Sequence, residues 1–417
     1  MKTKLITQAY DLWQFLKFAV KNVWRNRRRA AITMSSIAVG TITLVLLQSY
    51  VNTMEMGLQA DAIQKQYGHF QIAAKGYFSA EENSAEFVMS REVVQKITAK
   101  AMELDSVDFV NTRIHLNGII GTQKKSTVFM GIAGIPSAEG LMAPTLVKGN
   151  LLSDKESGGI MIGKAMAKKL GIDIGDHLIA FVSGANGSQE AIAVNVRGIY
   201  EALMPEQEKV IIYMPISSAW DLMLEKTSHR ILIFLNKPEK LAQTIQTMQK
   251  FINENNLNLE IRDWKTLAVF IKQVIGMFRG MIIVVSIIVF LVIIFNIHNT
   301  MHMSIHERFR EIGAMRAMGS SRGEIIREFL AEGFIIGLFG ALAGIFISLI
   351  LMPWINAMHL SLPPGPGQTK PTPIMFTQSS VVLINALLVN LVTAFLASIL
   401  PARKGAKIRI IDALRYV

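Results

Sequence analysis

Cysteine is absent from all 417 residues. Disulfide staples and thiolate metal sites are therefore excluded, and each folded part must hold together through its own apolar core. Charge is scarce as well: only 18% of residues are ionic, with 31 acidic against 43 basic. There is no His-Glu-x-x-His pattern of a metalloprotease, no internal repeat and no low-complexity tract. Apolar residues take the place of charge. They make up 51% of the chain, and mean hydropathy is +0.36, values that point to a membrane protein.

Four stretches lack Asp, Glu, Lys and Arg for at least the roughly 20 residues that a helix needs to cross a hydrocarbon core. They are Ala30–Met54, Gly280–His306, Gly333–Thr369 and Pro371–Ala402. Trimmed by apolar density and by where Pro and polar residues gather, they predict spans over 30–50, 281–301, 333–354 and 379–400. The predicted class is a membrane α-helical protein of four transmembrane helices with an inserted α+β extracytoplasmic domain. In order, the chain reads as an interfacial elbow helix (1–29), first span and start of a stalk (30–54), and the inserted domain (55–268). Then come stalk and second span (269–301), a cytoplasmic segment (302–332), third span (333–354), a Pro-rich outer loop (355–378), fourth span (379–400) and a cytoplasmic tail (401–417).

A net charge of +12 raises the question of a nucleic-acid partner, and its distribution answers it. Residues 55–268 carry 22 basic and 24 acidic residues, so the whole excess lies beside the spans and no nucleic acid is expected. Lys and Arg stay on the cytoplasmic side of short membrane loops. Eight precede the first span, five lie between the second and third, five follow the fourth, and the loop between the third and fourth has only Lys370. Both termini are therefore expected in the cytoplasm, although Lys272 and Arg279 sit outside against the trend. The first apolar run begins behind a long basic and aromatic segment, which is a poor match to a cleavable signal and reads as a retained anchor.

Trp13–Trp24 mixes apolar residues with lysines four apart, as suits a helix lying in the membrane interface. Leu47, Tyr50, Met54 and Leu58 follow the first span, and Leu267, Phe270, Val274 and Phe278 precede the second, each set on one helical face. These faces predict two helices rising from the membrane as a stalk. Between them, β-branched runs such as Val194–Tyr200 and Val210–Tyr213 alternate with glycines and with a helix over 91–104, giving an α+β domain of one or two lobes. Gly333, Gly337, Gly340 and Gly344 line one face of the third span so that another helix can approach closely, from this chain or from a second copy.

Several patterns imitate catalytic motifs. Gly158 with Gly163 and Lys164 resembles a phosphate-binding loop, but Ala165 stands where magnesium needs a hydroxyl, and a glycine turn before a helix over 164–170 is expected instead. Gly319-Ser320-Ser321-Arg322-Gly323 spells a hydrolase elbow without the acid and histidine that must follow, and reads as a flexible turn. His298, His302 and His306 share a helical face with no accompanying carboxylate or thiol, and Glu332 reads as an interfacial residue. No catalytic, cofactor-binding or metal site is expected.

The most specific segment runs His306-Glu307-Arg308-Phe309-Arg310-Glu311-Ile312-Gly313-Ala314-Met315-Arg316-Ala317-Met318-Gly319. It reads as a short helix of mixed charge with apolar Ile312, Met315 and Met318, suited to docking a protein partner. Together with Ala331-Glu332-Gly333 it resembles the permease signature of the MacB, FtsX and LolC/LolE superfamily, and Pro401-Ala402-Arg403-Lys404 with Ala413-Leu414-Arg415-Tyr416 resembles that family's C-terminus.

The resemblance implies a MacB-like inserted domain and an ABC transporter subunit of the bacterial inner membrane that works as a dimer, with a second copy or a paralogue. Two cytoplasmic ATPases would bind ATP and Mg, and this chain neither. Glu307, Arg308, Arg310, Glu311, Ile312, Gly313, Met315, Arg316 and Gly319 would couple to the ATPase, whose closure would move the stalk and the inserted domain. The chain lacks the fused ATPase of MacB, and its size and layout are nearer to LolC and LolE, from which the Pro363–Pro373 loop departs. Extraction or export of a lipoprotein, lipid or other amphipathic substrate follows, with an extracytoplasmic accessory protein as a further partner. The alternative is an FtsX-like regulator in which the same stroke activates an extracytoplasmic enzyme.

Overall fold

The computed structural model describes residues 24–25, 27–79, 87–135, 145–153, 158–183, 189–202, 205–223, 227–363 and 371–410. The expected elbow over 13–23, most of the Pro363–Pro373 loop and the motif at 413–416 lie outside the described residues. The helices are α1 (Arg27–Asp61), α2 (Arg91–Met102), α3 (Lys164–Leu170), α4 (Pro205–Val210), α5 (Ile216–Met223) and α6 (Leu241–Glu254), then α7 (Trp264–Leu267), α8 (Val269–Glu307), α9 (Phe309–Ala317), α10 (Arg322–Ala357) and α11 (Ser380–Ala406). The chain forms two compact units, one from 1–55, 274–360 and 373–417, the other from 56–273 and 361–372.

The first unit is a helical bundle. Among the described residues, four helices are long and apolar enough to cross a membrane: α1 with the π-helical turn Ala62–Tyr67 that continues it, α8, α10 and α11. At 1.5 Å per residue, the 35 residues of α1 extend about 52 Å and the 39 of α8 about 58 Å, well beyond a hydrocarbon core of about 30 Å. Inside the bundle, hydroxyl and amide side chains return to their own helix: Thr41 donates to the Ile37 carbonyl, Ser348 to Gly344, Thr393 to Val389 and Asn390 to Ala386. This leaves few polar groups needing a partner in an apolar medium. Asn296 Nδ2 reaches across to Ser36 Oγ at 2.6 Å and Thr33 meets Thr300 at 2.6 Å, which fixes α8 against α1.

The glycine stripe of α10 faces helices of the same chain on both sides. A Cβ at Gly333 would overlap the Ser398 side chain and one at Gly337 the Ala394 methyl, both on α11. One at Gly340 would lie 2.8 Å from Ile37 Cβ, and one at Gly344 2.6 Å from Thr41 Cβ, both on α1. α10 is thus the central helix, and its missing side chains set how near α1 and α11 come.

The second unit is built on a ten-stranded mixed sheet of β1 (Phe70–Ala74), β2 (Val107–Gly121), β3 (Ser126–Gly134), β4 (Thr145–Gly149), β5 (Gly159–Gly163), β6 (His177–Ser183), β7 (Gln189–Glu201), β8 (Ile211–Pro215), β9 (Arg230–Leu235) and β10 (Leu259–Asp263). Its order is β10-β1-β9-β2-β3-β8-β5-β7-β4, with β6 pairing both β2 and β7. The 15-residue β2 is long enough to serve two cores. Its first half joins β1 and β9 in covering Ile97 of α2 and Met248 of α6. Its second half joins β3, β5, β7 and β8 around Ile120, Phe129, Ile162 and Ile212, closed by α3 and α5. Arg113, buried between these halves, donates to the carbonyls of Gln66 (3.0 Å) and Lys65 (3.1 Å) and so caps the π-helical turn with a positive charge.

Candidate functional site

A buried cluster of charged side chains forms where α8 ends and α9 begins. α8 closes at Glu307, the backbone leaves helical geometry at Arg308, and α9 follows for nine residues. Gly319, at φ +102°, makes the turn that a side chain would strain, and Ser321 then starts α10 with a reciprocal capping box to Glu324. That explains the Gly-Ser-Ser-Arg-Gly pattern entirely as a helix start.

Arg308 is only 5% exposed and lies among carboxylates. It bonds Glu328, reaches Glu332 Oε2 at 3.4 Å and donates through Nε to Glu311 at 3.0 Å. Glu328 and Glu332 are 8% and 6% exposed, and Ser304 donates to Glu332 at 3.3 Å. The Phe329 ring lies 5.5 Å below the guanidinium. Burial alone disfavours the charge on Arg308, but the hydrogen bond and charge of Glu328, with help from Glu311 and Glu332, outweigh it and hold the guanidinium above its usual range. Burial also pushes the Glu311 carboxyl up, while Arg25 and Arg308 outweigh that effect and keep it below its usual range. Arg25, just before α1, bonds Glu311 at 3.0 Å, and Arg29, in its first turn, bonds Glu307 at 2.6 Å. Arg316 donates to the Ala406 carbonyl at the end of α11. α9 is therefore held through Glu311 to the segment before α1 and through Arg316 to α11, while Arg308 just before it bonds α10.

The nine residues expected to contact a partner divide into two faces. Ile312 and Gly313 are sunk in the bundle core, Met315 packs beside them, and Arg308 and Arg316 point inward to their bonds. Glu307, Arg310, Glu311 and Gly319 are exposed, along with Ala314, Ala317 and above all Met318, at 81%. Ile312 and Met318, alike as apolar residues in the sequence, thus serve opposite sides. Glu332, expected at the interface, is buried in the Arg308 cluster, and Glu328 is its counterpart one turn earlier. Nothing local announces this pair, because Glu328 and Glu332 follow Arg322, Glu324 and Arg327 in the same charged start of α10 and are not told apart from them by spacing.

The stalk residues are only partly covered: Leu47, Tyr50, Met54, Leu58, Leu267, Val274 and Phe278 are half-buried and Phe270 is exposed. The helix breaks at Ala268 (φ −81°, ψ 53°), so Leu267 belongs to α7 and does not share one helix with Phe270, Val274 and Phe278. Arg279, the basic residue against the topological trend, donates to Glu55 at 2.7 Å. The phosphate-loop imitation is a strand, buried throughout over Gly159–Gly163, and Lys164 pairs with Glu201. The His298, His302 and His306 rings step along α8 at 6.1 and 4.6 Å, and no group of three metal-ligating side chains forms among the described residues.

In the second unit a polar cluster gathers that no motif or spacing announces. His229 Nδ1 accepts from the His115 amide at 3.3 Å, Arg230 bonds His115, and Tyr77 lies 5.8 Å from Arg230. Burial, then Arg230, lowers His229 to about 4. Burial, then Arg230, Arg113 and His229, lowers His115 well below its usual value.

Two family models match the chain. The MacB-like periplasmic core domain covers residues 30–251, just over half of it, and the FtsX-like permease C-terminal region covers 283–410, including the whole Arg308 cluster except Arg25 and Arg29. An uncharacterised ABC transporter permease of Methanocaldococcus jannaschii is 22% identical over 417 residues, spanning 96% of this chain and 97% of that protein. The lipoprotein-releasing system transmembrane protein LolC of Haemophilus influenzae is 23% identical over 91% of each chain. The uncharacterised ABC transporter permease YknZ of Bacillus subtilis is 21% identical over 97% of this chain and all of its own length.

Proposed function

Because the chain belongs to the ABC transporter permeases built from a MacB-like periplasmic core domain and an FtsX-like C-terminal region, we propose that it is the membrane subunit on which a separate ATPase acts through α9. One observation carries this reading. α9 has a buried face centred on Ile312 and an exposed face of Arg310, Ala314, Ala317 and Met318; Glu311 and Arg316 bond Arg25 and the end of α11, and Arg308 just before α9 bonds α10. A push on the exposed face is resisted by every large helix of the bundle at once, so it is transmitted rather than absorbed locally.

In this reading both termini and α9 lie on the cytoplasmic side, the chain sits in the inner membrane, and ATP with Mg binds only the partner. α1 and α8 outrun the bilayer and serve as the stalk that moves the inserted domain. Two copies, or this chain and a paralogue, complete the permease; the apolar face of α8, with Ile283, Val284, Ile287 and Phe295 exposed, suits that contact. Likeness to LolC over nine-tenths of the chain supports a lipoprotein, lipid or other amphipathic substrate, handled with an extracytoplasmic accessory protein.

Gentle detergent extraction of the tagged chain from its host, followed by mass spectrometry, tests the assignment. A stoichiometric ABC ATPase together with a lipoprotein or lipid is the expected result. Recovery of a cell-wall enzyme in place of that cargo would move the function to a regulator, and the absence of any ATPase would overturn it.

A further inference from the structure

The bundle carries an apolar groove of about 450 Å³ between α1 and α10. Trp24, Ala31 and Ser35 form one wall, and Phe339, Ala343 and Ile347 the other. Gly340 and Gly344 close its floor by bringing the α10 backbone against Ile37 and Ala38. From Ile335 at one end to Ile347 at the other, twelve helical rises give a length of about 18 Å, close to one leaflet of a hydrocarbon core about 30 Å thick. That length and the almost wholly apolar lining suit a single hydrocarbon chain.

The groove also has a charged end. Trp24, Arg27 or Arg28, Ala31 and Ser35 follow one another at steps of three and four, so they share a helical face. Arg25 and Arg29 are neutralised by Glu311 and Glu307, whereas Arg27 and Arg28 are exposed and have no carboxylate partner among the described residues. Arg27 lies 6.0 Å from the Trp24 ring, itself 62% exposed, and an exposed indole at the end of a membrane span favours the headgroup layer. We propose that this groove binds one acyl chain of an anionic phospholipid, whose phosphate is held by Arg27 and Arg28 beside Trp24.

The test uses the full chain with whatever partners copurify, in neutral detergent, titrated with phosphatidylglycerol or phosphatidylcholine and read by native mass spectrometry. The native chain should keep one phosphatidylglycerol per copy, preferred about thirty-fold over phosphatidylcholine, as two interfacial arginines imply. Arg27→Gln with Arg28→Gln should erase the preference. Ala343→Phe should expel both lipids, and Ser35→Trp, which fills the groove from the other wall, covers the case in which the first variant misfolds. Equal retention of the two lipids by the native chain, or undiminished retention when the groove is filled, overturns the proposal. So does a cysteine at position 343 that cross-links to a second copy, or to a cysteine placed within residues 13–23, instead of to lipid.

Discussion

Arg25 and Glu311 are separated by 286 positions in the chain and by 3.0 Å in space. Their bond joins the segment just before α1 to the first turn of the short helix α9, and Glu311 accepts Arg308 as well. The exposed pair adds little stability by itself. Its importance is positional, because it places a carboxylate of the outward face under the control of two other segments.

Removing Arg308 should be severe. Arg308→Ala takes from the buried carboxylates Glu328 and Glu332 the guanidinium that both bond, a change that typically costs about 3–5 kcal/mol. Thermal unfolding in detergent should show a large loss. Replacing Arg308, Glu328 and Glu332 together with Met should recover most of it, since an apolar cluster of similar volume needs no compensating charge. A single variant as stable as the native chain would contradict the burial of this network.

Glycines of the bundle should separate by surroundings. Gly337→Ala and Gly344→Ala force α10 away from Ala394 and Thr41, an overpacking cost of about 1–3 kcal/mol. Gly280→Ala, where nothing lies within 4 Å, should instead gain up to about 1 kcal/mol from helix propensity. Melting temperatures of the three variants check the contrast. A uniform response would mean that α10 is not pressed between α1 and α11.

The absence of cysteine allows a clean cross-link at the salt bridge of Arg279 and Glu55. Cysteines at these two positions should be bridged within one chain by a bifunctional methanethiosulfonate reagent, whose spacer replaces the reach of the two long side chains. With the stalk helices locked, ATP binding by the partner should persist while coupled transport falls at least ten-fold, and reduction should restore it. Full transport by the bridged form would remove the stalk from the mechanism.

Acid should weaken the second unit. His229, lowered to about 4, is neutral in the fold but titrates near 6.5 when unfolded, so its contribution is whole above about 6.5 and declines as pH falls toward 4. The span amounts to about 3 kcal/mol for this one group. Denaturant midpoints followed by Trp220 and Trp264, with Trp13, Trp24 and Trp354 replaced by Phe, should drop through that window. His229→Asn should flatten the slope, and an unchanged slope would assign the acid sensitivity elsewhere.

The four long helices were legible because hydropathy is a local property: each apolar run carries its own length requirement. The glycine face of α10 was equally readable, but nothing local names the neighbour, and only the fold assigns Gly337 to Ala394 and Gly344 to Thr41. Arg308 was singled out as one of a mixed-charge run, yet its partners stand 20 and 24 positions away, and a string of charges does not reveal which one turns inward. Ile312 and Met318 show the same limit from the apolar side. The break at Ala268 is a backbone choice between two helical stretches with no Pro or Gly to announce it. In the inserted unit the runs over 194–200 and 210–213 announced strands, but not that one long strand, β2, would serve two separate cores.

The most direct test of α9 as the coupling element is a photo-cross-linker on Met318→Cys, the only thiol in the chain, in membranes containing the assembled transporter. The account predicts a covalent adduct with the ABC ATPase, lost when Ala314→Glu is added to the same chain. An adduct formed only with lipid, or with the ATPase regardless of Ala314→Glu, would contradict it.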